Sequence, residues 1–322
     1  MNWTTHGLLH MPNPAWWWSQ SHAQCPVPDS QAISPGLYRI YYSTRDSAGK
    51  SRIGSCLLNT QLMQIVQSQS EPELDLGTLG SFDDAGVMPA AVIAHNNKKY
   101  LFYIGWMERK SVPYQNAIGL AEIDEAGRLS RVFEGPVLSA WADEAYFTGT
   151  INIFAKDNRY LGYYLCCTEW FLSNGKPEPR YDIRVASTSD LIHWKRTGKS
   201  ALALTSGTEG GYASASVIQL NDRYLMFYCK RNAENYRMTP ENSYKIYAAV
   251  SADAETWVKI PDFQYSETTE FDNSMQCYPQ LLRIDNRVYM FYNGNDFGKK
   301  GFGCSSIDIH ELEELCGTFN LN

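Results

Sequence analysis

Residues 100–103 read YLFY, and the same apolar-aromatic phrase returns four more times: LYRIYY at 37–42, YLGYY at 160–164, YLMFY at 224–228 and VYMFY at 288–292. The closing tyrosines Tyr42, Tyr103, Tyr164, Tyr228 and Tyr292 stand 61, 61, 64 and 64 residues apart. Strand-like runs at a steady period above fifty, with no helical pattern between them, mark a propeller array in which each repeat is one four-stranded blade. The reading is therefore all-β: a single five-bladed β-propeller domain with antiparallel blades around a central funnel. The blades fall at about 20–75, 80–135, 141–200, 207–262 and 270–322.

Each tyrosine run has the same surroundings. About eleven residues upstream, Val92, Ile153, Val217 and Leu281 sit in apolar runs that read as inner strands, each followed by a polar turn (HNNKK, KDNR, NDR, IDNR). Downstream, RIGSCLL, NAIGLAEI, YDIRVAST, YKIYAAVS and GFGCSSI read as third strands. Thr188-x-Asp190-x3-Trp194 and Ser251-x-Asp253-x3-Trp257 share one spacing, which suits a tight turn leading into an outer strand, with the Trp packed between blades. The fifth repeat lacks that Trp and ends in DIHELEELCG, a short helix. Trp3 and Gly7 repeat the W-x3-G spacing of Trp194 and Gly198, so residues 1–10 are expected to supply the missing outer strand and close the ring.

Composition narrows the function. A net charge of −7 and a pI near 5.4 argue against a nucleic-acid partner, which needs a basic face. The longest apolar run, PAAVIA from Pro89, is far too short to cross a membrane, and residues 1–14 lack a secretory pattern, so a cytoplasmic location is expected. The eight cysteines show no CxxC pair and no metal-ligand spacing; they read as reduced, buried thiols, and no cofactor is expected. The oligomeric state is not legible. The Trp16–Trp18 triplet reads as packing beneath the ring.

The repeat also points to candidate chemistry. Nineteen or twenty residues before the marker tyrosines stand His22, Asp84, Glu144, Glu209 and Asp272, at the expected entrance to each inner strand. Three residues after them stand Arg45, Trp106, Cys167, Arg231 and Asn295, with Asp46, Glu169 and Asn293 close by. Carboxylates supply acid–base chemistry, Arg and Asn bind hydroxyls or anions, and an indole stacks on a sugar ring. Asp84, Glu144 and Glu209 are the catalytic candidates. His22, Arg45, Asp46, Trp106, Glu169, Arg231, Asp272, Asn293 and Asn295 are the substrate-binding candidates. The two arginines with His22 favour a small carbohydrate bearing an anionic group.

FDDAGVMPAAVIAHNNKKYLFY, YYSTRDSAGKSRIG and SMQCYPQLLRIDNRVYMFYNGNDFG resemble the five-bladed β-propeller glycosidase superfamily, which holds glycoside hydrolase families 43 and 32 and the mannoside phosphorylases of family 130. The resemblance covers all five repeats and is strongest to members linked with bacterial surface-polysaccharide clusters. It implies an enzyme that cleaves a glycosidic bond with carboxylates from successive blades, Asp84 and Glu144 matching two of the three positions. The first-blade acid of families 43 and 32 is absent: SHAQCP offers His22 and Gln24 there, which raises Glu209 as a replacement. An inverting hydrolase is the expected reaction, with phosphorylase, glycosyltransferase or a non-catalytic sugar-binding propeller as alternatives.

Overall fold

A computed structural model describes residues 1–261 and 263–319. Strand β1 (Thr4–His10) comes first in the chain but belongs to the last sheet. Pairing gives three sheets, because a parallel bridge from Ser51 to Gly86 joins the first antiparallel group of strands to the second and one from Tyr181 to Gly211 joins the third to the fourth; each of the five antiparallel groups is termed a sheet. The first is β2 (Ser21–Pro28), β3 (Leu37–Arg45), β4 (Ser51–Asn59) and β5 (Gln64–Ser68). The second is β6 (Gly86–His95), β7 (Lys98–Glu108), β8 (Tyr114–Ile123) and β9 (Leu129–Arg131). The third is β10 (Thr148–Lys156), β11 (Arg159–Ser173), β12 (Lys176–Thr188) and β13 (Lys195–Leu202). The fourth is β14 (Glu209–Leu220), β15 (Arg223–Asn232), β16 (Lys245–Ser251) and β17 (Val258–Lys259). The fifth joins β18 (Cys277–Ile284), β19 (Arg287–Asn293), the single turn α1 (Asn295–Gly298) and β20 (Phe302–Asp308); helix α2 (Ile309–Gly317) follows. Strand β1 pairs antiparallel with β20, from Thr4 opposite Ser306 to His10 opposite Phe302, and so becomes the outermost strand of this sheet.

The polar turns do the work their sequences suggest. Asn96 with Asn97, and Asp157 with Asn158, hold positive φ at both central positions, the twist that joins two antiparallel strands through a two-residue loop. Thr188 Oγ1 accepts from the amides of Asp190 and Leu191 while Asp190 Oδ1 accepts from Ile192 and His193; Ser251 and Asp253 repeat the arrangement. Trp194 then lies edge-on to Phe102 of the preceding sheet at 5.9 Å, and Trp257 to Tyr163 at 5.7 Å. Trp3 packs the same way on Phe227 and Tyr265. Gly7 and Gly198 both sit at φ 69°, so the W-x3-G match reflects one local backbone form used twice.

Five inner strands, β2, β6, β10, β14 and β18, touch one another in sequence, and β18 touches β2 again. Every one carries a bulge: at Gln24/Val27, Pro89/Ala91, Gly149/Ile151, Ala213/Ser216 and Cys277/Gln280. An extra residue bends the strand and re-aims side chains. Side chains tie neighbours together: Thr150 Oγ1 accepts from Ser214 N at 3.0 Å, Asn152 Oδ1 from Val217 N, and Ser216 Oγ from Leu281 N. The last join is made by buried Asn293, which donates to Ala23 O and accepts from Cys25 N at 2.7 Å each. Trp18 is fully buried, stacked on Trp16 and lying where a side chain on Gly54 would stand. All eight cysteines are free and buried.

Candidate active site

Where the bulged inner strands converge, a cavity of about 380 Å³ opens. Its polar wall is His22, Gln24, Arg45, Asn116 and Arg237; its aromatic wall is Trp106, Tyr114, Tyr181, Tyr236, Tyr244, Tyr278 and Phe297. A smaller space of about 90 Å³ continues beneath it, past Cys25, Thr150 and Ala213. No carboxylate lines either space among the described residues. The closest acidic influences are Glu178, which accepts from Tyr236 Oη at 2.8 Å and lies 3.5 Å from Arg237 Nε, and Asp296, whose charge acts on His22.

Local backbone explains several of these positions. His22 and Tyr278 take positive φ within bulged strands, and Phe297 reaches the wall from the left-handed turn α1. Trp106 is fixed by donating Nε1–H to Ser51 Oγ at 2.8 Å, over Gly86, where a Cβ would meet the indole. Arg45 Nε donates to Gln24 Oε1 at 3.1 Å. Arg237 lies over the rings of Tyr236 and Phe297 at 4.6 and 5.1 Å.

The electrostatics are one-sided. Burial, with Arg45 and Lys299 nearby, lowers the His22 imidazole to about 4, so it is neutral at pH 7. Burial also lowers Arg45, and Arg237 adds repulsion, while Arg237 itself, despite burial, is held charged by Glu178 at 3.5 Å. Burial pushes the phenols of Tyr114, Tyr236, Tyr244 and Tyr278 up, leaving them protonated donors. The wall offers aromatic faces, neutral hydroxyls and positive charge.

Of the residues the sequence singled out, His22, Arg45 and Trp106 line this cavity. The carboxylates stand elsewhere, and the reason is structural. The hydroxyl of marker Tyr164 donates to Glu144 at 2.7 Å, and that of Tyr292 to Asp272 at 3.0 Å, both acids being buried. In the second sheet the acid so used is Asp83, accepting from Tyr103 at 3.1 Å and pairing with Arg131 at 2.8 Å; its neighbour Asp84 accepts from Gly80 N. Glu144 also binds Arg196 at 2.8 Å and Arg184 at 3.3 Å. Glu209 accepts from the amides of Thr205 and Ser206. Asp83, Glu144 and Asp272 thus latch the marker tyrosines of the second, third and fifth sheets, while Glu209 holds the Thr205–Ser206 turn instead. His22 is the exception in the first sheet: its Nδ1 meets Ser21 Oγ, and the Tyr42 hydroxyl is left without a partner.

The remaining candidates also serve local structure. Asp46 accepts from Ala48 N and Lys50 N and pairs with Arg52 at 2.7 Å. Glu169 pairs with Arg180, Asn295 caps the loop at Ser274 and Met275, and Asn293 makes the inner-strand join. Arg231 lies fully buried behind Tyr181. The sequence reading missed Tyr181, Tyr236, Arg237, Tyr244, Tyr278 and Phe297. The long β11–β12 hairpin and the aromatic-rich segment from Tyr236 to Tyr244 were the available signals.

With the pocket located, comparison places the chain among known folds. One solved structure described as a glycoside hydrolase superposes with a TM-score of 0.73 at 15% identity, covering 94% of this chain and 90% of that one. The two share a fold. β-1,2-Mannobiose phosphorylase from Listeria innocua matches with a TM-score of 0.71 at 13% identity, over 99% and 100% of the chains. Sucrose-6-phosphate hydrolase from Lactobacillus gasseri matches at 0.63 and 12% identity, over 93% of this chain and 60% of that one. In sequence, uncharacterized proteins from two strains of Mycobacterium tuberculosis are 28% identical over 312 residues and 29% over 313, in each case 96% of this chain and all of the relative. No family model matches. Among the described residues no helix is long and apolar enough to cross a membrane.

Proposed function

We propose that this protein is a carbohydrate-active enzyme that acts on a glycosidic bond in the central cavity, and that its five sheets form a closed five-bladed propeller around that cavity. The cyclic contact of the inner strands, with β1 completing the fifth sheet, supports the ring. The observation that carries the function is the wall itself: aromatic faces suited to stacking on sugar rings, with Arg45 and the Glu178-paired Arg237 in the lining and no carboxylate among the lining residues. That combination favours a sugar carrying a carboxylate or phosphate over a neutral glycan.

Hydrolysis with inversion asks for a proton donor and a base roughly 6.5–9.5 Å apart on opposite sides of the sugar. The cavity offers tyrosine hydroxyls and the neutral imidazole of His22 for these tasks, whereas Glu144 and Asp272 bond marker tyrosines and Glu209 holds the Thr205–Ser206 turn. Phosphorolysis or transfer is the second reading, favoured by the two arginines in the lining, which suit a phosphate as nucleophile or leaving group. Isothermal titration with matched neutral, uronic-acid and phosphorylated oligosaccharides tests the binding claim. Binding confined to the anionic set and lost in Arg45→Ala and Arg237→Ala supports it; equal binding of neutral sugars by both variants overturns it. Proton NMR of the first-formed anomer then distinguishes inversion from retention.

A further inference from the structure

Arg231 is a buried cation with no evident structural purpose for its charge. It is 1% exposed, and among the described residues no carboxylate pairs with it. Its Nε–H donates to Tyr181 Oη at 2.8 Å, its Nη1 to Asn232 O at 2.9 Å and its Nη2 to Pro179 O at 2.5 Å. Burying an ion this deeply costs several kcal/mol unless charge or hydrogen bonds compensate. Two neutral carbonyls, a phenol and the faces of the Tyr236 and Tyr181 rings at 3.9 and 4.9 Å offset that cost without any opposite charge.

The backbone makes room for this pair. A Cβ on Gly210 would come within 2.3 Å of Arg231 Nη1, and one on Gly211 within 2.1 Å of the Tyr181 ring. The TEGGY segment is thus shaped around the guanidinium and the phenol. Tyr181 lines both the cavity and the space beneath it. The Tyr244 hydroxyl also meets Tyr181 Oη. Arg231 fills one lone pair of that oxygen; in the arrangement in which Tyr244 donates to the other, the Tyr181 proton is free for a group in the cavity.

We propose that Tyr181 is the proton donor to the departing glycosidic oxygen, with Arg231 and Tyr244 positioned to hold the phenolate it becomes. The inference rests on the glycosidic-bond chemistry assigned to this cavity. In the step, water oxygen bonds to the anomeric carbon as the carbon–oxygen bond to the leaving group breaks. The Tyr181 proton goes to the leaving oxygen, and the proton of the attacking water departs through the unprotonated imidazole of His22. Solvent then restores the phenol. Arg231 and Tyr244 act as an oxyanion hole does, as fixed donors aimed at charge that exists only after proton transfer.

The test compares wild type with Tyr181→Phe, which removes only the hydroxyl, on paired methyl and 2,4-dinitrophenyl glycosides of neutral and uronic-acid sugars. Dinitrophenolate departs without a proton, so a lost acid shows only on the methyl partners. The expected result is a kcat/KM loss of about 10²–10⁴-fold on methyl glycosides with a far smaller loss on dinitrophenyl ones. Arg231→Lys, which keeps the charge but not the fork, should restore part of what Arg231→Met loses on the methyl series. Equal losses on both leaving groups, or none, overturn the inference while leaving the glycosidase reading intact. Wild type inactive on every member of the panel overturns that reading and this inference with it. Thermal unfolding of each variant separates a folding defect from a catalytic one.

Discussion

Replacing Glu144 by Gln separates a latch from a catalytic acid. The wild-type carboxylate is buried, accepts from Tyr164 Oη at 2.7 Å, and faces Arg196 at 2.8 Å and Arg184 at 3.3 Å. Gln keeps the shape and can still accept from Tyr164, but it leaves Arg196 without a carboxylate. Removing one partner of a buried pair costs about 3–5 kcal/mol. The low end applies here, because Arg184 keeps Asp182 at 3.3 Å and Arg196 keeps Ser139 O at 2.7 Å. With an unfolding entropy near 2.1 cal/mol/K per residue, a chain of 322 residues has about 0.7 kcal/mol/K in total, so 3 kcal/mol lowers the melting temperature by roughly 4 °C. Differential scanning calorimetry reads that shift, and activity per folded molecule should stay within about threefold. An unchanged melting temperature with activity down a hundredfold or more, the size of a lost general acid, would refute the latch and return Glu144 to catalysis.

Deleting residues 1–10 removes β1 and the Trp3 contact with Phe227 and Tyr265, and should cost several kcal/mol in urea unfolding; an unchanged midpoint would contradict closure by this strand. His10 is buried against Tyr42, and burial lowers its imidazole from 6.5 to about 4. Because the unfolded chain takes up that proton first, the contribution is complete above pH 6.5 and lost as pH falls toward 4, on the order of 3 kcal/mol; His10→Phe should flatten the pH dependence of stability over that window. Gly54→Ala drives a methyl to 2.2 Å from the buried Trp18 ring and should destabilise by about 1–3 kcal/mol in thermal melts, with no effect expected if Trp18 could move aside.

The fold was legible because its signals are local and repeat. The marker runs are β3, β7, β11, β15 and β19, the Thr188 and Ser251 turns carry the hydrogen bonds their spacing implies, and Trp3 with Gly7 pointed to β1. DIHELEELCG forms α2, capped by Asp308 accepting from His310 N. The same repetition also marks residues with a shared structural task. In three of the five sheets the acid twenty positions before the marker tyrosine bonds its hydroxyl, at Tyr103, Tyr164 and Tyr292. A pocket at a shared axis needs each sheet to contribute something different. Tyr181 opens the third-strand run YDIRVAST, which does repeat, whereas Arg237 and Phe297 come from an extended loop and a left-handed turn that the repeated segments do not include. Counting from the period finds the shared parts and passes over these. His22, Arg45 and Trp106 were found because they lie on strands that do repeat.

The measurement that tests the central assignment most directly is a crystal structure grown with the anionic oligosaccharide that binds most tightly in titration. The account predicts sugar in the central cavity, with one ring against Trp106 or Tyr181, its acidic group between Arg45 and Arg237, and its glycosidic oxygen within hydrogen-bond reach of the Tyr181 hydroxyl. A sugar seated instead beside Glu144 or Glu209, with the central cavity empty, would contradict it.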